Sequence, residues 1–156
     1  MPEKQTIKAA RQARREGKAP TTQAGEFVRE EIEHIREGKH GARSAKQAIA
    51  IGLAKARRAG VDLAPPARGT TSEDTRRQAT RDYERGHSGS HAAPSPKRSR
   101  ASTRRLEREG TAAASHLALS RQAKQAARTR KRRAAATGTG TATATRKTTA
   151  RASKKR

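Results

Sequence analysis

The chain has 156 residues, of which 38 are Lys or Arg and 14 are Asp or Glu, a formal charge of +24; only 30% are apolar, with one Phe, one Tyr, one Met and neither Trp nor Cys. A composition this poor in large apolar groups excludes compact folding throughout, because ordering a residue costs about 1.5 kcal/mol and a buried Leu or Ile returns roughly 1.5–3. It also excludes disulfides, thiolate catalysis and Cys-based zinc sites, while the charge calls for a polyanionic partner.

Charge is unevenly placed. Residues 1–90 hold 19 basic and 12 acidic side chains, a net +7, whereas residues 91–156 hold 19 and 2, a net +17. No run is long enough to span a bilayer, and residues 1–20 lack the apolar stretch of a signal peptide. No basic helix has the broad Leu, Phe or Trp face that enters an anionic membrane surface, so no membrane partner is expected.

The predicted fold is mainly α: a short helical hairpin, extended to three helices if a later segment joins it, followed by a basic Ala-rich helix, with disordered termini. Residues 1–20 read as a basic N-terminal arm. A short helix over 3–16 has Ile7 as its one large apolar side chain and is predicted to fray.

Residues 21–86 form the predicted helical module. Thr21 and Thr22 are positioned to cap a helix in which Ala24, Phe27, Val28, Ile32 and Ile35 share a face at helical spacing, with Gly38 as its stop. Glu26, Arg29, Glu33 and Arg36 follow one another at three- and four-residue steps on the outer side, a solvated ladder of ion pairs. After residues 39–43, Ser44 and Gln47 match a capping box. The helix they open runs to about Ala59, with Gly60 as its stop. Ile49 and Leu53 line it, and Gly52 marks a place where another backbone comes close. The expected hairpin, 21–60, thus has a core of Phe27, Val28, Ile32, Ile35, Ile49 and Leu53. Their burial is worth roughly 10–15 kcal/mol before entropy, which calls for a homodimer, a third helix or a partner to complete it. The third helix is predicted over 72–85, opening on Ser72-Glu73-Asp74 with acids in its first turn and offering Ala79 and Tyr83.

Residues 87–100, rich in Gly, Ser, His and Pro, read as a linker. The segment 101–135 is predicted to be basic and helical, weakly over 102–109 and more firmly over 112–135. Residues 136–156 are a low-complexity basic tail without apolar periodicity.

The strongest functional constellation lies in the later helix. Arg121, Lys124, Arg128, Lys131 and Arg132 recur on one face, with Arg130 and Arg133 beside them and no acidic residue interrupting. A slim alanine helix with such a stripe can follow a groove and pair with phosphates on its walls. Arg146, Lys147, Arg151, Lys154, Lys155 and Arg156 extend the expected phosphate-binding set into the tail. Lys97 and Arg98 join it from a Ser95-Pro96-Lys97-Arg98 unit that resembles the Ser-Pro-basic-basic repeats of histone linker tails, and Arg100 follows just after. Lys46, Arg57 and Arg58, off the hairpin stripe, are secondary contacts.

No metal or other cofactor is expected. His87 and His91 stand four apart in a Gly/Ser linker, His34 and His40 lie elsewhere, and metal ligation needs a pre-shaped set of ligands. No G-x-S-x-G elbow and no phosphate-cradling G-x-x-x-x-G-K occurs, so neither catalysis nor a small-molecule substrate is expected. Aromatic platforms for stacking single-stranded bases are nearly absent, which favours duplex backbone as the target.

Gly25-Glu26-Phe27-Val28-Arg29-Glu30-Glu31-Ile32-Glu33-His34, then Lys39-His40-Gly41 and the run from Ser44 through Lys46-Gln47-Ala48-Ile49-Ala50-Ile51-Gly52-Leu53 to Gly60, resemble a family of small basic bacterial proteins of uncharacterised function whose members are often labelled DNA-binding proteins. The resemblance covers about a third of the chain firmly and residues 71–86 more loosely, and it brings no catalytic residues. The tail resembles bacterial histone-linker-like proteins by composition.

The combined expectation is a cytoplasmic, nucleoid-associated protein that binds double-stranded DNA without sequence preference by neutralising phosphates. Two other readings stand beside it, an RNA- or ribosome-associated protein and a helical protein-interaction module. A helix-turn-helix reading bases is disfavoured by the long connection after Gly38.

Overall fold

Alanine, glutamine and arginine, strong helix formers, fill the segments between the glycines and prolines, and every regular element among the described residues is helical. The computed structural model describes residues 2–89 and 95–136. Six α-helices follow in chain order: α1 Lys4–Arg15, α2 Pro20–Arg36, α3 Ala45–Arg58, α4 Glu73–His87, α5 Pro96–Glu107 and α6 His116–Ala136, with a 3-10 turn, Ala112–Ala114, before the last. The chain divides into two units after Gln122.

Helices α2 and α3 form the hairpin. Pro20 opens α2 at its first helical position and Ala19 is the N-cap. Thr21 and Thr22 therefore sit inside the helix rather than capping it, because proline's preset φ and missing N–H suit that first position. Gly38 stops it at φ +73°, its amide donating to Ile35 and that of Lys39 to His34. Ser44 caps α3, its Oγ accepting from the Gln47 amide at 3.2 Å. Gln47 Oε1 reaches back one residue further than in a capping box, to the Arg43 amide at 3.0 Å.

At the crossing of the two helices, a Cβ built on Gly52 would lie 2.6 Å from Val28 Cα and 3.0 Å from Phe27 O. The missing side chain lets the backbones touch. Phe27 and Ile35 are fully buried, whereas Val28, Ile32, Ile49 and Leu53 are half-buried. The middle of α2's inner face runs Ala24, Phe27, Glu31, Ile35, so a carboxylate occupies a core position.

The seam is completed from within the chain. α1 lies along α2 with Thr6, Ala10 and Ala13 buried and Ile7 packed on a cluster of Ala24, Phe27, Ala56 and Val61. Small side chains let α1 approach closely, so a helix with one large apolar residue is docked rather than frayed. At the far end, Ala113 and Ala114 pack on Ile35, Ala42 and Ala48. Two backbone hydrogen bonds, Gly41 N to Leu106 O at 3.0 Å and Ala42 N to Gly110 O at 3.1 Å, tie the α2–α3 connection to this segment. A side chain at Gly41 would collide with the Glu109 carbonyl.

α4 covers α3, burying Ala79 and Asp82. Ser72 caps it through the Thr75 amide, and Tyr83 donates to Asp62 Oδ1 at 2.6 Å. α5 begins at Pro96, inside the segment expected to be linker, with Pro96 again at a first helical position. The expected continuous helix over 112–135 is broken at Ser115, which adopts extended backbone and whose Oγ accepts from the Ala118 amide. Arg36 Nε donates to the Ala114 carbonyl at 3.0 Å, holding the turn against the hairpin. In the second unit the described residues, 123–136, are helical and exposed apart from the half-buried Ala126.

Candidate functional site

Two sets of residues concentrate charge. The first is the cationic surface. Lys97, Arg98 and Arg100 are exposed on the first turns of α5, where the Ser-Pro-Lys-Arg unit serves as a helix start. Arg121 is exposed at the end of the first unit, and Lys124, Arg128, Arg130, Lys131, Arg132 and Arg133 are exposed in the second. Helix α6 contains no Asp or Glu and buries no residue. Helical geometry places Lys124, Arg128 and Lys131 in one row, three and four residues apart. Arg146, Lys147, Arg151, Lys154, Lys155 and Arg156 lie outside the described residues, as does His91.

Of the three secondary contacts expected on α3, Lys46 is exposed. Arg58 is exposed but folds back, Nε donating to Ala54 O at 3.2 Å and lying 3.8 Å from Asp82. Arg57 is a correction. It is 7% exposed, and its guanidinium donates to the carbonyls of Leu63 at 3.1 Å and Ala64 at 3.4 Å, holding the segment after α3. Burial lowers its pKa from the ordinary arginine value, with the Asp82 charge acting in opposition. The α3–α4 connection covers it, and nothing in the local spacing of α3 distinguishes Arg57 from Arg58.

A basic stripe that sequence reasoning passed over lies on α1. Lys4, Lys8, Arg11 and Arg15, at steps of four, three and four, are all exposed and line a shallow depression. The spacing is legible in the sequence; the expectation that the segment frays hid it.

The second set is buried. Glu31 is 0% and Glu30 4% exposed. Lys55 of α3 places Nζ 2.6 Å from Glu31 Oε2 and 3.7 Å from Glu30 Oε1, and His40 Nε2 stands 3.4 Å from Glu31 Oε1. His34 Nδ1 lies 4.0 Å from Glu30 Oε1, and its Nε2 contacts Glu3 Oε1 at 2.9 Å. Lys39 reaches the same Glu3 oxygen at 3.5 Å. The hydrogen bond from His34, then the charge of Lys39, hold the Glu3 carboxyl below the usual carboxylate range. Hydrogen bonding to Glu37 raises Lys39.

Neither oxygen of Glu31 accepts a hydrogen bond of good geometry, nor does Glu30 Oε1. Burying carboxyl oxygens without hydrogen-bond partners is costly. The fold thus brings His34 and His40, six residues apart, to ring centroids 6.2 Å apart, beside a core carboxylate. The sequence signal was there: Glu31 stands four residues after Phe27 and four before Ile35, in the centre of the apolar stripe.

Among the described residues no helix is long and apolar enough to cross a membrane. Compared with protein-family models, curated proteins and solved structures, the chain matches none of them.

Proposed function

We propose that the protein binds double-stranded DNA through its phosphates, without sequence preference and without catalysis, in association with the bacterial nucleoid. The observation that carries the reading is the part of α6 in the second unit: Lys124, Arg128, Arg130, Lys131, Arg132 and Arg133 all face solvent on a helix with no acidic residue. Its described residues, 123–136, extend about 20 Å and, with alanines between the cations, are slim enough to follow a groove. Each phosphate it neutralises releases a condensed counterion, an entropic gain that ordinary surface helices with mixed charge do not have. The exposed stripe on α1 and Lys97, Arg98 and Arg100 on α5 supply further phosphate contacts of the same kind. The scarcity of aromatics supports duplex over single-stranded targets, since base stacking needs exposed rings.

Cutting the chain near residue 90 is a poor test, because it removes Ala113 and Ala114 from the core. The test is a salt titration of duplex binding by fluorescence anisotropy, comparing the full chain with a variant in which Lys124, Arg128, Lys131 and Arg132 are replaced by Gln. The expected result is a log–log salt slope shallower by up to about 3.6, about 0.9 per lost contact, on any duplex sequence. An unchanged slope overturns the assignment. Competition by tRNA that outmatches duplex DNA moves the target to RNA.

A further inference from the structure

We propose that Glu31, His34 and His40 form a binding site for a divalent transition-metal ion, zinc being the best fit. One donor atom from each residue can be chosen so that all three lie within 4.8 Å of one another. Glu31 Oε1 and His40 Nε2 are already 3.4 Å apart, the separation that two ligands at about 2.0–2.1 Å adopt on a tetrahedral ion. The donor atom of His34 lies within the same 4.8 Å.

Both imidazoles are anchored through one ring nitrogen. His40 Nδ1 is 3.2 Å from the Gly41 carbonyl, and its Nε2 faces Glu31 Oε1. His34 Nε2 is 2.9 Å from the Glu3 carboxylate, and its Nδ1 stands 4.0 Å from Glu30 Oε1. Imidazoles anchored through one nitrogen on a carbonyl or carboxylate, with the other nitrogen free, are the usual arrangement around a bound metal.

Glu31 supplies the independent sign that something is missing. It is wholly buried, and neither carboxylate oxygen accepts a properly directed hydrogen bond. Lys55 lies on Oε2 and leaves Oε1 to the ion. A divalent cation supplies the buried Glu31 Oε1 with the partner it lacks. Two nitrogens and one carboxylate oxygen suit zinc rather than magnesium or calcium, which prefer all-oxygen sets. The His34 and His40 side chains are 14% and 17% exposed, which gives the ion a route from solvent and leaves a fourth position for water.

The test is titration of the full chain, freed of nucleic acid, with zinc against a chromophoric chelator. The expected result is one tight equivalent, weakened at least ~10-fold by His40→Ala and by His34→Ala and retained in His87→Ala. Circular dichroism checks that each variant is folded. Should either fail to fold, cobalt(II) added to the unmodified chain decides. One equivalent is then expected to give the intense visible absorption of four-coordinate cobalt, with two paramagnetically shifted imidazole signals. Absence of a stoichiometric site, zinc binding indifferent to both His34 and His40, or an octahedral cobalt spectrum overturns the proposal.

Discussion

Alanine in place of glycine is expected to change stability in opposite directions at two positions of the same hairpin. Gly25 and Gly52 both lie inside helices, α2 and α3. In each, removing glycine's backbone freedom from the unfolded chain favours folding by about 0.4–1 kcal/mol. At Gly25 nothing lies within 4 Å of the added Cβ, so Gly25→Ala keeps that gain. At Gly52 the new carbon would meet Val28 Cα at 2.6 Å, Phe27 O at 3.0 Å and Val28 Cγ2 at 3.0 Å. Carbon–carbon contact is comfortable near about 3.5–4.0 Å, so α2 and α3 must separate by roughly 1 Å. Two of those three atoms are backbone, which no rotamer change relieves. Overpacking of that kind costs about 1–3 kcal/mol or more, and the net effect of Gly52→Ala is a loss of about 1–2 kcal/mol. Thermal unfolding followed by circular dichroism, at salt high enough to exclude bound nucleic acid, reads both variants. At about 2–8 °C per kcal/mol for domains in this size range, Gly25→Ala is expected to raise Tm by a few degrees and Gly52→Ala to lower it by several. A Gly52→Ala variant as stable as Gly25→Ala refutes the close contact of the two helices, and with it the geometry that brings Lys55 to Glu31.

Tyr83 is the one tyrosine and there is no tryptophan, so absorbance titration of tyrosinate reports it alone. The hydrogen bond to Asp62, with burial and the Asp62 charge adding to it, raises its pKa above 10.0. A raised pKa in the folded state means that its contribution to stability is present below the unfolded value and lost as pH climbs through the folded one. Asp62→Ala is expected to return the midpoint toward the ordinary value; a midpoint that does not move shows that the pair is not formed. Arg57→Gln removes donors from the Leu63 and Ala64 carbonyls and is expected to cost about 1–3 kcal/mol in stability. The same variant leaves the salt slope of DNA binding unchanged, in contrast to the α6 substitutions; a shallower slope would place Arg57 at the DNA after all.

Much of the architecture follows from local rules that any reader of the sequence can apply. The mainly helical fold, the stops at Gly38 and Gly60 with positive φ, the Ser44 and Ser72 caps and the close approach at Gly52 depend on residues within a few positions of one another, or on a glycine whose only use is contact. The exposure of the cations on α5 and α6 was equally legible, because charge without nearby acids is a property of composition. What tertiary packing decided was which of several similar residues lies inside. Arg57 is buried and Arg58 exposed because α4 and the segment before it cover one side of α3. Ala113 and Ala114 become core because backbone hydrogen bonds from Gly41 and Ala42 anchor their segment to the α2–α3 connection. Glu31 enters the core, and His34 meets His40, because the turn after Gly38 folds back over α2 while α3 delivers Lys55 from 24 residues away. Spacing along one helix identifies a face, but the polarity that face must satisfy depends on what the rest of the chain lays against it.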